Sequence, residues 1–386
     1  MIPYGRQQID NEDIQAVVSV LKSDFLTQGP AVPAFESAIS KYCSVDHAVA
    51  VSSATAALHV ACLALEVGPG DVVWTSPISF VASSNCALYC GAQVDFVDID
   101  PETYNMSTEA LAQKLEEAEV VGRLPKVVIP VHMCGQSCEM AAIHRLSKRY
   151  GFRIIEDASH GVGGSYQGTP IGCCDFSDIV IFSFHPVKII TTGEGGVAVT
   201  RDAELATRMR LFRSHGITRD NALMTKEPDG TWYYQQIELG YNYRLTDIQA
   251  ALGVSQMQKV DSFVSKRQYL ADRYFQLLSS LPVSLPKIIP AAQSSWHLFV
   301  VRLRLDQIRR SQKEVFDFLV GRGIGVNLHY VPIYTQPYYR KLGFVDGYCV
   351  EAENYYSEAI SIPLFAGMLE EQQDKVVRSL TEALEA

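Results

Sequence analysis

One lysine of this chain stands between apolar neighbours and a loop with almost no side chains. In SFHPVKIITTGEGG, residues 183–196, Lys188 lies between Val187 and Ile189, and two threonines, a glutamate and three glycines follow it. A lysine shielded from water titrates below its ordinary range, and its neutral amine can form a Schiff base with a carbonyl group. Taken alone, a loop lysine is a solvated charge. Two other stretches change that reading. SSATAAL, residues 52–58, joins a strand pattern to a helix pattern and sets Ser52, Ser53 and Thr55 where a helix start leaves N–H groups unpaired. That end suits a phosphate, although plain N-capping accounts for the same residues. Asp157 closes the apolar run FRIIED. Ligands of open α/β sheets gather at the carboxyl ends of strands, and a turn aspartate is the plainer alternative.

Together these three features match what pyridoxal phosphate requires. The cofactor needs an anion cradle, an acid that keeps its ring nitrogen protonated, and a lysine for its aldehyde. The glycines of SHGVGG, residues 159–164, lack the strand–turn–helix context and spacing of a dinucleotide fingerprint, which excludes an NAD-type site there.

The elements that must position these groups are legible as alternating patterns. Short β-branched runs at 48–52, 71–76, 93–99, 126–132, 152–157, 178–185 and 196–200 are interleaved with helix patterns at 54–65, 79–90 and 139–150. Near-continuous apolar strands separated by helices predict an α/β fold, with a mostly parallel sheet covered on both faces in three layers. From Thr246 the pattern changes. Thr246 and Gln249 have capping-box spacing, and apolar residues recur from Ile248 through Leu277 as one long helix or two joined ones. A strand at 297–305, a helix opened by Ser311 and Glu314, and a C-terminal helix complete a smaller α+β part. The expected division is a large domain over 1–245 and a small one over 246–386.

Composition narrows the class. The 386 residues are 47% hydrophobic and 20% charged, ordinary for a globular protein of two domains. A net charge of −10 with dispersed cations argues against a nucleic-acid surface. The nine cysteines form an odd set, and the Cys86–Cys90 and Cys134–Cys138 spacings are wrong for zinc knuckles, so no metal is expected and the thiols read as reduced. MIPYGRQQIDNED carries no signal-peptide pattern, and no run reaches the about 18 apolar residues of a membrane span. A cytoplasmic location without membrane partners is the expectation.

The lysine segment resembles that of the DegT/StrS family of sugar-nucleotide aminotransferases, fold-type I enzymes dependent on pyridoxal 5'-phosphate. LTQGPAVPAFE (26–36), SSATAALH, TSPISFVASSN (75–85), EDASHGVGG (156–164), FRSHG (212–216), LGYNYRLTDIQAALG (239–253) and NLHYVPIY (327–334) resemble family segments in the same order, over nearly the whole chain. The resemblance implies that Lys188 holds the aldehyde and then shuttles the proton, that Asp157 pairs with the pyridinium nitrogen, and that Phe80 stacks on the ring. It implies Ser53, Thr55, Ala56 and Ser183 around the phosphate, His160 near the phenolic oxygen, and Asn242 reaching the phosphate from the second subunit of a homodimer. Tyr4, the stretch Asp24, Phe25, Leu26 and Thr27, and the stretch His329, Tyr330, Val331 and Pro332 resemble substrate-contact segments. PISFVASSN, SHG and HYVPIY most resemble members acting in pseudaminic acid biosynthesis, which aminate carbon 4 of a UDP-linked 4-keto-6-deoxy-N-acetyl sugar with glutamate as donor.

The nearest rival is an aminotransferase working at carbon 3 or on a dTDP sugar. A family dehydratase replaces the lysine with histidine, so Lys188 counts against it. A non-catalytic regulator that binds the cofactor is a third reading, and no helix-turn-helix module accompanies it.

Overall fold

The computed structural model describes residues 1–385. A seven-stranded sheet forms its centre, in the spatial order His47–Val51, Gly196–Thr200, Ile179–Ser183, Arg153–Asp157, Val127–Ile129, Val72–Thr75, Gln93–Phe96. Gly196–Thr200 runs antiparallel to both of its neighbours, and the other pairings between adjacent strands are parallel. The exception has a local cause. A parallel return needs a crossover of a dozen or more residues, usually a helix. The segment between Ser183 and Gly196 contains no helix, and Val180 lies opposite Val199 in a hairpin register. That hairpin connection carries Lys188.

Both faces of the sheet are covered, giving three layers. Ile179 and Ile181 point into a core shared with the helices Ala54–Ala64, Ala82–Tyr89 and Ala203–Arg213. Val180 and Phe182, one residue out of phase, point into the opposite core with Ala31–Cys43 and Asp247–Met257. Farther along that second face, Val128 and Ile154 pack beneath Thr108–Val120 and Met140–Tyr150. A strand buried on both sides favours apolar residues at successive positions, which is why the runs are mostly apolar, and the buried Glu156 of Arg153–Asp157 is accommodated by hydrogen bonds to His132 and Ser177.

The helical pattern after residue 245 resolves into two helices, Asp247–Met257 and Val260–Leu277. The first opens with the expected capping box, Thr246 Oγ1 accepting from the Gln249 N–H and Gln249 Oε1 from the Thr246 N–H. It packs on Asn11–Leu21 and Ala31–Cys43. The second contributes Leu270 and Tyr274 to another core, around a three-stranded antiparallel sheet ordered Val283–Ser284, Phe299–Leu303, Ala359–Ile362. The box at Ser311 and Glu314 starts the helix Gln312–Gly321, and Glu370–Glu385 packs beside it. The first residues of the chain cross to this smaller sheet. Ile2 pairs with Ile324, and the Leu364 N–H donates to the Tyr4 carbonyl at 3.0 Å. Among the described residues no helix is long and apolar enough to cross a membrane.

Candidate active site

The carboxyl ends of the central strands deliver the chemical groups. Arg153–Asp157 ends at Asp157 and Ile179–Ser183 ends at Ser183, side by side in the sheet. Asp157 is 4% exposed. Its Oδ2 accepts from Ser83 Oγ at 2.6 Å, its Oδ1 from the Ser159 N–H at 3.1 Å, and Ser83 is joined in turn to Ser79 at 2.6 Å. Hydrogen bonds to a carboxylate favour its charged form and fix its direction.

Ser53 is the N-cap of Ala54–Ala64, its hydroxyl accepting from the Ala56 N–H at 3.1 Å. The plain capping role is therefore real, and it coexists with a position on a ligand cavity. Gly196 explains how that helix start comes so close to the sheet. A Cβ there would lie 2.4 Å from the Ser53 carbonyl carbon, so only glycine lets the strand pass beneath the turn.

The loop after Phe184 is tied by its own polar groups. Thr191 Oγ1 donates to the Phe184 carbonyl and accepts from the Gly193 N–H, both at 2.9 Å, and Thr192 Oγ1 donates to the Glu194 carbonyl. The helix Asp247–Met257 also holds it, Gln249 Nε2 donating to the Glu194 carbonyl at 2.9 Å and Gln256 Oε1 accepting from the Thr191 N–H at 3.4 Å.

The loop, the strand ends and the helix start enclose a cavity of about 840 Å³. Lys188, Asp157, Ser53, Thr55, Ser183, Phe80 and His160 all line it, as do Tyr4, His329 and Tyr330. Lys188 is half-buried because the cavity opens beside it, while protein surrounds it on its other sides. Burial lowers its ammonium to about 8, against the opposing pull of the Asp157 carboxylate.

Three histidines surround that amine. Burial first, then the Lys188 charge and His329, hold His160 well below the ordinary imidazole range. His297 is lowered in the same way, by burial, then by His160 and Lys188. His329 falls to about 3 through burial and Lys188, with its Nδ1 bonded to Ser361 Oγ at 2.8 Å. All three rings are therefore neutral at neutral pH. The rings of His160 and His297 lie 4.3 Å apart, and Tyr330 meets His160 Nε2 at 3.3 Å. Burial raises the Tyr330 phenol far above its ordinary range, with Asp157 acting in the same direction.

Other expected site residues lie elsewhere in this chain. Ala56 is buried beneath the helix start and offers only its N–H, which Ser53 already accepts. Asp24, Phe25, Leu26 and Thr27 are exposed and do not reach the cavity. Their stretch is held to the start of Asp247–Met257 by the Thr27–Thr246 bridge, with Asp247 accepting from the Gly29 and Ala31 N–H groups at 2.8 Å. Asn242 is exposed on a segment bridged to Ser214. Val331 and Pro332 miss the cavity because the chain turns inward after Tyr330, where the Ile333 N–H donates to the Pro77 carbonyl. The sequence reading also missed residues. Ser79 and His297 line the cavity and Ser83 holds Asp157. Serines at a helix start carry no distinguishing signal, and His297 precedes an apolar strand run that hides it.

The groups present fit pyridoxal phosphate. A flat aromatic, Phe80, is 60% exposed at the cavity although its chain neighbours Ser79 and Val81 are covered or half-covered. The buried Nδ1 of His160 has no hydrogen-bond partner among the described residues. Lysine, carboxylate, hydroxyl-bearing helix start and free aromatic face are the donor set such a cofactor needs. No group of three or more His, Cys, Asp or Glu among the described residues is placed to hold a metal ion.

Comparison with known proteins agrees with this geometry. A profile of the DegT/DnrJ/EryC1/StrS aminotransferase family matches residues 7–381. A UDP-4-amino-4,6-dideoxy-N-acetyl-beta-L-altrosamine transaminase of Campylobacter jejuni is 38% identical over 94% of this chain and 92% of its own. The structure of Helicobacter pylori PseC, an aminotransferase involved in the biosynthesis of pseudoaminic acid, superposes with a TM-score of 0.90 at 31% identity, covering 99% of both chains. The PLP-form of the sugar aminotransferase Spr1654 from Streptococcus pneumoniae, itself described as putative, superposes with a TM-score of 0.88 at 28% identity, covering 99% of this chain and 98% of its own.

Proposed function

We propose, from the premise that this chain belongs to the DegT/DnrJ/EryC1/StrS aminotransferase family and is a pyridoxal-phosphate-dependent sugar aminotransferase of fold type I, that it aminates carbon 4 of a UDP-linked 4-keto-6-deoxy-N-acetyl sugar with glutamate as donor. The observation that carries the chemistry is the single cavity holding both the lowered amine of Lys188 and the buried carboxylate of Asp157. The choice of sugar rests on PISFVASSN, SHG and HYVPIY and on what the Campylobacter jejuni and Helicobacter pylori relatives are named for.

When bound, the cofactor supplies an electron sink for the carbon that loses or gains a proton. Lys188 is the amine that holds it and the base that moves that proton. A pKa of about 8 leaves far more of this amine neutral at neutral pH than a solvated lysine has. Asp157, fixed by Ser83, would pair with the ring nitrogen and keep its proton in place. Phe80, on the cavity wall, would stack on one face of the ring. Ser53, Thr55, Ser183 and the N–H groups around Ala56 receive the phosphate, where the helix dipole favours an anion. His160, neutral and with a free nitrogen, hydrogen-bonds the phenolic oxygen. Tyr4, His329 and Tyr330 form the wall that meets the sugar. Asn242 and the stretch Asp24–Thr27 complete a neighbouring copy's site across a two-fold interface, which accounts for their exposure in one chain.

A panel of UDP- and dTDP-linked keto-sugars, each incubated with glutamate and read by mass spectrometry, tests the assignment. Amine on carbon 4 of the UDP-linked 4-keto-6-deoxy-N-acetyl sugar is the expected product. Turnover confined to dTDP sugars or to 3-keto sugars would replace it with the rival reading.

A further inference from the structure

One position on the buried stripe of the helix Val260–Leu277 breaks its pattern. Val260, Phe263, Leu270, Ala271 and Tyr274 turn inward as an apolar and aromatic seam, and Arg267 stands among them. Arg267 is 1% exposed, and no carboxylate among the described residues offsets its charge. Burial lowers the guanidinium to about 10, which leaves it charged at neutral pH. Its Nε has no hydrogen-bond partner among the described residues. Burying a cation without a counter-ion is costly, so packing alone favours an apolar side chain here.

Three backbone carbonyls receive this cation. Nη1 donates to Trp296 at 3.1 Å, to His297 at 3.2 Å and to Leu364 at 2.9 Å. All three residues are buried, and an unsatisfied carbonyl among them would be destabilising. Trp296 and His297 lead into the strand Phe299–Leu303, and Leu364 follows its neighbour Ala359–Ile362. One nitrogen therefore ties the entry of one strand to the exit of the next. Tyr274, on the same helix face, donates to the adjoining Pro363 carbonyl at 2.8 Å.

Both tied segments support the cavity wall. His297 lines the cavity, and its N–H donates to the Cys134 carbonyl at 2.8 Å. The Leu364 N–H donates to the Tyr4 carbonyl at 3.0 Å. Tyr4 lines the cavity beside His329, their rings 5.3 Å apart. Arg267 is not part of that lining, so it acts on a ligand only through these residues.

We propose that Arg267 is a positioning residue for the sugar, setting the small-domain wall of the cavity by holding His297 at its carbonyl and Tyr4 through Leu364. The proposal rests on the reading that this wall meets the sugar. Lys188, Asp157 and Ser183 stand on the large sheet and its hairpin, and Arg267 bonds to none of them. Steps that need only the cofactor and a small donor are therefore spared when Arg267 is changed.

Arg267→Met and Arg267→Lys, each loaded with cofactor, test this. The substrate is whichever UDP- or dTDP-linked keto-sugar the wild type turns over best. Arg267→Met should raise its KM about 10-fold, while the glutamate step alone, followed by the visible absorbance of the bound cofactor, stays within about 2-fold. Lysine offers three N–H groups from one nitrogen and should restore most of the affinity, leaving KM about 3-fold high because of its shorter reach. An unchanged KM, or equal losses in the sugar and glutamate steps, would overturn the proposal. If Arg267→Met does not fold, the same two rates in Arg267→Lys decide. Amide hydrogen exchange gives a reading that needs no sugar. The Leu364 and His297 amides should exchange about 10-fold faster in Arg267→Met, with the middle of Val260–Leu277 unchanged. Unaltered exchange at both amides sinks the proposal. A wild type that turns over no keto-sugar sinks the functional reading instead, and exchange then decides the role of Arg267.

Discussion

The floor of the cavity and its expected outer contacts are built in opposite ways. Asp157 and Ser183 end strands whose two faces are buried, and Lys188 sits on a loop tied by its own threonines. One chain fixes all three. Asp24–Thr27 and Asn242 are exposed, reach nothing in the cavity of their own chain, and are held through the Thr27–Thr246 and Ser214–Asn242 backbone bridges and the bonds of Ser23 to Phe25. Groups that do chemistry must keep a narrow geometry, so they belong on elements that packing has made rigid. Residues that serve a partner's site can stay at the surface until that partner arrives.

Asp157→Asn strikes the floor directly. It keeps the shape of the side chain and removes the charge proposed to hold the proton on the ring nitrogen. We expect kcat to fall on the order of 10²- to 10³-fold with little change in the KM for sugar. An unchanged kcat would mean that the floor contributes binding alone.

Mixing two inactive variants sharpens the contrast between floor and surface. On the proposed shared site, Lys188→Ala would damage the site of its own chain and Asn242→Asp that of the partner. A mixed dimer then places both lesions in one site and leaves the other whole. Once subunits have exchanged, activity should return to about one quarter of wild type. No recovery after demonstrated exchange would return Asn242 to the role of an ordinary loop residue.

The smallest effect concerns stability without cofactor. The folded Lys188 ammonium titrates near 8, below its ordinary 10.5. Between those values the unfolded chain binds more protons than the folded one, so folding stability rises with pH across that window. Below pH 8 the full penalty is present. Lys188→Met should therefore stabilise the apoprotein at pH 7 by on the order of 2 kcal/mol, with the gain shrinking toward pH 10.5. A difference independent of pH would show that the ammonium is not strained by burial. Thermal melts of both proteins at several pH values make this measurement.

The contrast also explains what the sequence disclosed. The strands were legible because burial on both faces makes them continuously apolar, as in Ile179–Ser183. Asp157 was legible as the last residue of such a strand, and Lys188 as a cation just beyond one. Capping boxes at Thr246 and Ser311 marked two helix starts. Ala31–Cys43 begins after Pro30 with no side-chain cap, and such a start leaves no signature. Ser83 holds Asp157 from 74 positions away. Nothing local distinguishes it from Ser84, which bonds Tyr339 instead. His297 is brought beside His160 by tertiary packing alone. The tight approach of Gly196 to Ser53 likewise depends on residues far apart in sequence. Resemblance across many segments identified the class of enzyme, while the residues that turn away, Val331 and Pro332, show that neighbours in a motif need not share a surface.

The central claim is that Lys188 is the amine that carries the cofactor. Borohydride reduction of the cofactor-loaded enzyme, followed by digestion and mass spectrometry, tests it most directly. The account predicts the reduced cofactor on the peptide containing Lys188, with the other lysines unlabelled. Label on a different lysine, or cofactor that washes away after reduction, would contradict it.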